Sequence, residues 1–428
     1  MESLPNKPLS LLKRAERILK LDTTYIARGS VWMTLSFVIG TLASLVTMVA
    51  YGNLLSRETY GTYNYLLSLG ASLSFLTLSG TGFGVLRAVA RGYENVVPVA
   101  LRLQLKYNLI AVATVLSVAI YYGYKGNMLF AYSLLLLAVA YPLAEAFHIY
   151  VQVLNGRKRF DLLTKLTSII TLIGTVATVA TLLATQSILI LIAVYAATSL
   201  LPSVFLYWYV TKDIDKTSPD EEQIREMRRT AFHITGAGLV GTAAQYIDKI
   251  LLFQVAGPAA LAVYGFATAG PDRLRSFLKN AMSITLPRLA QSSLEQIRQV
   301  VYKRIALSML FGFGVALIYW FLAPYLFKLL LPRYLDAILY TQVLALSLIA
   351  APVVIYVGSI FAGQNMLRGN YALSIGTQII RITLFVILGW KWQIWGLVFA
   401  YLSASILNAI LSIIIWEIEA RRLIRKNE

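Results

Sequence analysis

Apolar runs of about twenty residues recur along almost the whole chain, and this recurrence limits the fold more than any single motif. A helix needs roughly 20 mostly apolar residues to cross the hydrocarbon core of a bilayer. Twelve such runs are read, at about 29–54, 61–84, 104–123, 128–154, 162–184, 187–210, 230–255, 260–285, 305–331, 335–362, 371–389 and 392–416. Of the 428 residues, 58% are hydrophobic and only 14% charged, and the longest polar gaps are 1–28, 211–229 and 287–304, so no soluble domain of useful size remains. The expected fold class is an all-α polytopic membrane protein of about twelve transmembrane helices. The segment before Arg28 is polar and basic and the first apolar run is long enough to span, so no cleavable signal is expected.

The charge pattern orients these spans. The net charge is +18, which in a soluble protein would suggest nucleic acid. Here Lys and Arg follow the rule that short cytoplasmic loops are basic. With a cytoplasmic N-terminus, 28 of the 38 basic residues fall in inside segments, five in outside segments and five within spans. Sides alternate without a failure, so both termini are expected in the cytoplasm, with the protein in the cell membrane and no nucleic-acid partner. Cysteine is absent and only His148 and His233 occur, which argues against disulfides, thiolate metal sites and His-based metal centres. No G-x-x-x-x-G-K-[ST] loop is present, so no ATP engine and no cofactor are expected.

Residues 25–90 align with 226–291 at a constant offset of 201 without gaps, with eight identities in 66 positions. The matches fall at equivalent places. Arg28 pairs with Arg229 before spans 1 and 7, Gly40-Thr41-x-Ala43 with Gly241-Thr242-x-Ala244 inside them, Tyr63 with Tyr264 opening spans 2 and 8, and Arg87 with Arg288 at their ends. An even number of spans per repeat keeps both halves in one orientation, as in parallel-repeat transporters. The expected organisation is a cytoplasmic segment 1–28, an N-lobe 29–210, a cytoplasmic linker 211–229, a C-lobe 230–416 and a basic tail 417–428.

The stretch LLSRETYGTYNYLLSLGASLSFLTLSGTGFGVLRAVARG, 54–92, resembles the first signature of the polysaccharide transporters of the multidrug/oligosaccharidyl-lipid/polysaccharide (MOP) flippase superfamily. It has a short outer turn, Y-G-x-Y, a Gly-rich second helix and a basic end. YIDKILLFQVAGPAALAVYGFA, 246–267, resembles the second signature, and LPRLAQ, 286–291, the Pro-Arg that closes span 8. The resemblance implies two pseudo-symmetric six-helix bundles around a central cavity, working by alternating access. The substrate it implies is an isoprenoid lipid carrying a phosphate or pyrophosphate and a sugar chain, moved to the outer leaflet for polysaccharide biosynthesis.

The residues themselves supply candidates. GPDRLRSFLKN, 270–280, places Asp272, Arg273, Arg275 and Lys279 in an apolar helix, although a charge at the bilayer centre costs at least ~2.5–3.5 kcal/mol on insertion scales. Asp272, Arg275 and Lys279 fall within about 60° on a helix, with Arg273 about 100° away from Asp272. One acid cannot neutralise three cations, so a cationic cavity for an anionic headgroup competes with a purely structural role in which Lys279 snorkels. Arg suits phosphate because its planar fork matches two oxygens. In span 11, Ser374, Thr377, Gln378 and Arg381 share one side, with no acid in the span to neutralise Arg381. Span 4 carries Tyr141, Glu145, His148, Gln152 and Asn155 on one stripe. Glu145 and His148 form either a proton or sodium coupling site or a salt bridge to the other lobe. Gln245 and Asp248 share a side of span 7, with Asp248 a local pair, an outer-gate contact or an ion ligand. Asp248–Lys249 and Arg57–Glu58 are expected at the outer mouth. The threonine stripe of span 5 suits helix packing, and the amphipathic 292–304 suits the cytoplasmic membrane surface. Arg421, Arg422, Arg425 and Lys426 suit contact with anionic membrane lipids.

No paired carboxylates share one face and no nucleophile–base motif is visible, so no enzymatic activity is expected. A multidrug and toxin extrusion (MATE-like) exporter of the same fold is the first rival, and its cationic drugs would want an acidic cavity. A polymerase or ligase of lipid-linked sugars is the second, and it would want a long outer loop.

Overall fold

A computed structural model describes residues 23–72, 76–215, 217–283, 293–364 and 366–427. They form the helices α1 (Thr23–Leu54), α2 (Arg57–Ser72), α3 (Thr81–Ala90), α4 (Val97–Tyr124), α5 (Met128–Phe147), α6 (Tyr150–Gly156), α7 (Phe160–Ala184) and α8 (Ile188–Thr211) in the first half. The second half holds α9 (Glu221–Ala244), α10 (Ile247–Ser283), α11 (Leu294–Leu330), α12 (Ala337–Ala345), α13 (Ser347–Gly363) and α14 (Leu367–Asn427). Among the described residues nine helical runs are long and apolar enough to cross a membrane. The protein is a multi-pass membrane protein.

Two of those runs are double. Gly257 sits at φ 82° within α10, a left-handed conformation that glycine adopts without the Cβ penalty. Pro258 follows at the first position of the second arm, where its missing N–H costs nothing. In α14 the break is at Trp392 and Gln393, the latter at φ 49°. The first break falls between the runs read as spans 7 and 8, and the second at the junction of spans 11 and 12. Span 2 is the interrupted pair α2 and α3, and span 4 is α5 with α6.

Within the first half α4 packs on α5, α5 on α8, and α1 on α7. The threonine stripe serves the last of these contacts: Thr164 Oγ1 donates to the Trp32 carbonyl at 3.0 Å, and Thr171 and Thr175 bond their own helix one turn back. In the second half α10, α11, α13 and α14 pack on one another. The halves meet where α2 lies against both arms of α10. Tyr65 stacks on Phe253 of the first arm at 3.9 Å and Tyr60 on Phe266 of the second at 4.5 Å.

One apolar core is common to both halves. It gathers Leu55, Phe130, Leu182 and Leu191 with Leu331, Tyr334 and Leu397, all near the short turns at one end of the molecule. There Arg57 pairs with Asp336 at 2.7 Å and Asn53 donates to the Leu330 carbonyl at 2.8 Å. Toward the other end the core divides. One part holds first-half residues with Met227 and Ala231 of α9, and the other holds residues of α11, α13 and α14.

Two expectations change here. The stretch 294–304 does not lie apart along a surface but continues into the 37-residue α11, about 55 Å long at ~1.5 Å per residue. Its apolar face finds protein instead of lipid: Ile297, Val301 and Ile305 are buried with Trp416 and Phe361, and Arg298, Tyr302 and Arg421 converge on Glu417. Nor is 211–229 irregular throughout, because Asp220 and Gln223 form a capping box that starts α9 at Glu221. The residues before Thr23, those at 284–292 including Arg288 and LPRLAQ, and the side chains of Arg425 and Lys426 lie outside the described residues.

The contact of α2 with the α10 turn is tight. A Cβ at Gly61 would sit 1.8 Å from the Pro258 carbonyl oxygen, whereas one at Gly40 meets nothing within 4 Å. Gly61→Ala is expected to destabilise the protein by ~1–3 kcal/mol, as overpacking does, and Gly40→Ala to leave it unchanged. Thermal unfolding in detergent checks this; equal unfolding temperatures for the two variants would contradict the packing described.

Candidate functional site

Arg275 and Arg381 come together in one cavity of about 230 Å³, walled by the second arm of α10, α13 and both arms of α14. Lys279, one helical turn beyond Arg275, lines it too. Both guanidiniums lie against Tyr401. Arg275 lies over its ring at 5.3 Å and Arg381 at 6.0 Å, while Arg381 also lies over Phe385 at 5.1 Å. Such cation–π contacts hold an Arg without neutralising it. Arg275 Nη2 donates to Ser405 Oγ at 3.0 Å, and that hydroxyl in turn donates to the Tyr401 carbonyl.

The acid nearest Tyr401 is bonded to its hydroxyl. The Tyr401 hydroxyl donates to Asp272 Oδ1 at 2.6 Å, so Asp272 anchors the ring and makes no ion pair with Arg275. Among the described residues the ion pairs lie at Arg57–Asp336, Arg91–Glu226, Arg157–Glu94, Arg159–Asp161 and around Glu417 and Glu419. None includes Arg275, Lys279 or Arg381. Arg381 Nε is buried without a hydrogen-bond partner, as are Gln378 Oε1 and Asn408 Oδ1 on the same cavity. The unpaired Arg381 Nε–H favours a ligand that brings an acceptor or negative charge, because an unpaired buried polar group otherwise costs ~1–3 kcal/mol.

A second cavity, of about 290 Å³, opens in the first half between α5, α7 and α8. Tyr141, Glu145, His148, Tyr195 and Ser199 line it. Glu145 is in no ion pair among the described residues, so it does not bridge to an Arg of the second half, and it does not contact His148 within ion-pair distance. The stripe read along span 4 is broken at His148, where α5 ends and α6 begins after a slipped turn. Gln152 therefore turns away and packs against Gly82 of α3.

The remaining candidates are placed elsewhere. Arg273 is exposed and outside the cavity, 100° round the helix from Asp272. Gln245 is exposed at the break between α9 and α10 and lines neither cavity. Asp248 is buried at 5% exposure, where it accepts from the Tyr264 hydroxyl and the Lys249 backbone N–H, both at 2.9 Å. It is thus not an outer-gate partner of the Lys249 side chain, and Arg57 pairs with Asp336 rather than Glu58. Nor is the cationic cavity central, since every residue lining it belongs to the second half. Tyr401, Ser405 and Asn408 of span 12 are absent from the candidates read in the sequence. Their i, i+4, i+7 spacing is the signal that would have marked them, a polar stripe in an otherwise apolar helix.

A family model described as polysaccharide biosynthesis protein matches residues 26–293. The chain belongs to that family. No curated protein matches the chain in a sequence search. Among solved structures, an inward-facing multidrug resistance transporter of the MATE family of the MOP superfamily is similar with a TM-score of 0.71 at 15% identity, covering 94% of this chain and 100% of that one. An outward-facing MATE family transporter gives 0.61 at 16% identity, covering 93% and 96%. A MOP superfamily transporter from Pyrococcus furiosus, described as having a binding pocket of reverse polarity, gives 0.61 at 14% identity, covering 93% and 96%. The family member described here therefore has the fold of MOP-superfamily transporters.

Because Arg381 has no carboxylate partner, removing its charge leaves no acid stranded. Arg381→Met is expected to raise the unfolding temperature of the ligand-free protein in detergent. A fall equivalent to the ~3–5 kcal/mol of a broken buried pair would show that the guanidinium is structurally paired.

Proposed function

We propose that the protein carries a lipid-linked oligosaccharide from the cytoplasmic to the outer leaflet, with the phosphate or pyrophosphate of its isoprenoid carrier held in the second-half cavity. The observation behind this is the convergence of Arg275, Arg381 and Lys279 on one cavity without a carboxylate among its lining residues. Unpaired cations at bilayer depth are sustained only by protein, water or an anionic ligand. Membership of a polysaccharide biosynthesis family agrees with a glycan-bearing substrate. A transporter of this fold has no need of catalytic residues.

The mechanism follows from where the halves touch. The N-lobe 29–210 and the C-lobe 230–416 act as two six-helix units, with both termini cytoplasmic and the short-turn end outermost. The common apolar core and the Arg57–Asp336 pair then seal the outer face, while the divided core leaves the cytoplasmic side free to admit a headgroup. Rocking of the lobes breaks the outer seal. Its ion pair is half-exposed, and pairs of that kind are worth only ~0–1 kcal/mol, so it opens reversibly.

Glu145 and His148 give the first-half cavity the chemistry for a coupling proton or sodium ion. The same unpaired acid supports a second reading, a MATE-like exporter whose cationic substrate sits beside Glu145. The two part on the C-lobe arginines, which a cationic substrate does not need.

Arg275→Ala and Arg381→Ala are expected to abolish complementation of a flippase-deficient strain at normal expression, and Lys at either site to restore part of it, because Lys keeps the charge but loses the fork. Full activity of the Ala variants, together with saturable efflux of cationic dyes, would favour the exporter. Glu145→Gln in proteoliposomes is expected to remove the response of transport to an imposed pH or sodium gradient; an unchanged response would take Glu145 out of coupling.

A further inference from the structure

The cationic cavity contains more than its anion requires. Gln378 Oε1 and Asn408 Oδ1 are both buried without a hydrogen-bond partner, on the same wall system as the guanidiniums. An oxyanion accepts hydrogen bonds and cannot satisfy them. Buried acceptors left idle are costly, so a ligand that fits this cavity must also bring donors. A half-turn of either amide group, about Cγ–Cδ in Gln378 or Cβ–Cγ in Asn408, exchanges its oxygen and nitrogen without moving the rest of the side chain.

The level of these amides is fixed by the hairpin in α14. The chain reverses at Trp392 and Gln393. Gln378 lies fourteen residues before the break and Asn408 fifteen after it, so the two stand at nearly the same height on adjacent arms. Arg381 and Ser405, the partner of Arg275, each lie three residues nearer the break. At ~1.5 Å per residue the amides are therefore about 4.5 Å, or one turn, from the guanidinium level. Lys279 is displaced from Arg275 by one turn. The cavity thus has two layers, one of guanidiniums on the Tyr401 ring and one of two amides with an ammonium.

We propose that the second layer binds the sugar joined directly to the phosphate, with Gln378 and Asn408 accepting hydrogen bonds from its hydroxyl or amide donors. This rests on the phosphate reading of Arg275 and Arg381 given above. A ring hydroxyl of a glycosyl phosphate stands a few bonds from its oxyanions, which matches a spacing of one helical turn. At about 230 Å³ the cavity is below the ~300–1,000 Å³ of sites for drug-sized ligands. It takes a phosphate with one sugar, and the remaining sugars stay outside it. Selection then falls on the first sugar, because a site built to accept from a hydroxyl rejects a ligand that lacks it.

The test is equilibrium binding to the purified full-length protein in detergent, by calorimetry, with inorganic phosphate, glycerol 3-phosphate, glucose and glucose 1-phosphate as probes. Glucose 1-phosphate is expected to bind about thirtyfold more tightly than inorganic phosphate, the worth of two ordinary hydrogen bonds. Glycerol 3-phosphate, whose hydroxyls sit on a flexible chain that must be ordered to reach the amides, is expected to bind less tightly than glucose 1-phosphate. In Gln378→Leu/Asn408→Leu the sugar phosphate should fall to the phosphate level while phosphate binding persists, which also reports a folded cavity. If that variant loses phosphate binding, the milder Gln378→Met/Asn408→Ser takes its place with the same expectation. Equal binding of glucose 1-phosphate and phosphate to the wild type, equal binding of glycerol 3-phosphate and the sugar phosphate, or a preference that survives the amide substitutions would overturn the sugar layer. Phosphate binding that is absent from the wild type, or unaffected in Arg275→Ala/Arg381→Ala, would instead overturn the phosphate reading on which it rests.

Discussion

A guanidinium at bilayer depth must be held by something other than lipid, and in this protein the holding is done by an aromatic ring. Tyr401 carries Arg275 on one contact and Arg381 on another, and its hydroxyl is tied to Asp272. Placing the acid on the phenol leaves both guanidiniums without a carboxylate, Arg275 keeping only its bond to the Ser405 hydroxyl. Direct pairing of Asp272 with Arg275 would have cancelled the charge that a phosphate needs. The rest of the second half serves this geometry. The α14 reversal sets Arg381 opposite Tyr401, and the second arm of α10, starting at Gly257 and Pro258, brings Arg275 and Asp272 to the same level.

The two halves divide the chemistry. The first carries an unpaired carboxylate, Glu145, among phenols and hydroxyls, and the second carries unpaired cations among amides. Neither cavity draws residues from the other half. Between them runs the contact of α2 with α10, in which Tyr60, Gly61 and Tyr65 meet Phe266, Pro258 and Phe253. The halves also meet where α3 packs on α9 and Arg91 pairs with Glu226, so motion of one half against the other involves both contacts.

Much of this was legible in the sequence. Apolar runs gave the spans because length and hydropathy suffice for a helix in lipid. The glycine–proline turn at 257–258 was legible because only a few backbone conformations reverse a chain so sharply. Arg275 and Arg381 stood out because charge there is costly. Tyr401, Ser405 and Asn408 did not stand out, since no charge marks span 12 and a hydroxyl in a membrane helix usually serves packing. Helical periodicity assigns a residue to a face and not to a partner. For that reason Asp272 was read as one of the cavity group, Asp248 as a mouth residue and 292–304 as a surface helix, when Asp272 is outside the cavity lining and a phenol, a second phenol and a buried Trp416 cluster are what they meet. The break at His148 was likewise invisible, because the stripe from Tyr141 to Asn155 continues in sequence across a turn that slips in space.

The central claim is that a phosphate belongs between Arg275 and Arg381. A structure determined by electron cryomicroscopy with a short-chain isoprenyl diphosphate sugar bound decides it most directly. The account requires a phosphate group within hydrogen-bond distance of both guanidiniums, beside the Tyr401 ring. Phosphate density seated elsewhere, with Arg275 and Arg381 still held as in the unliganded protein, would contradict it.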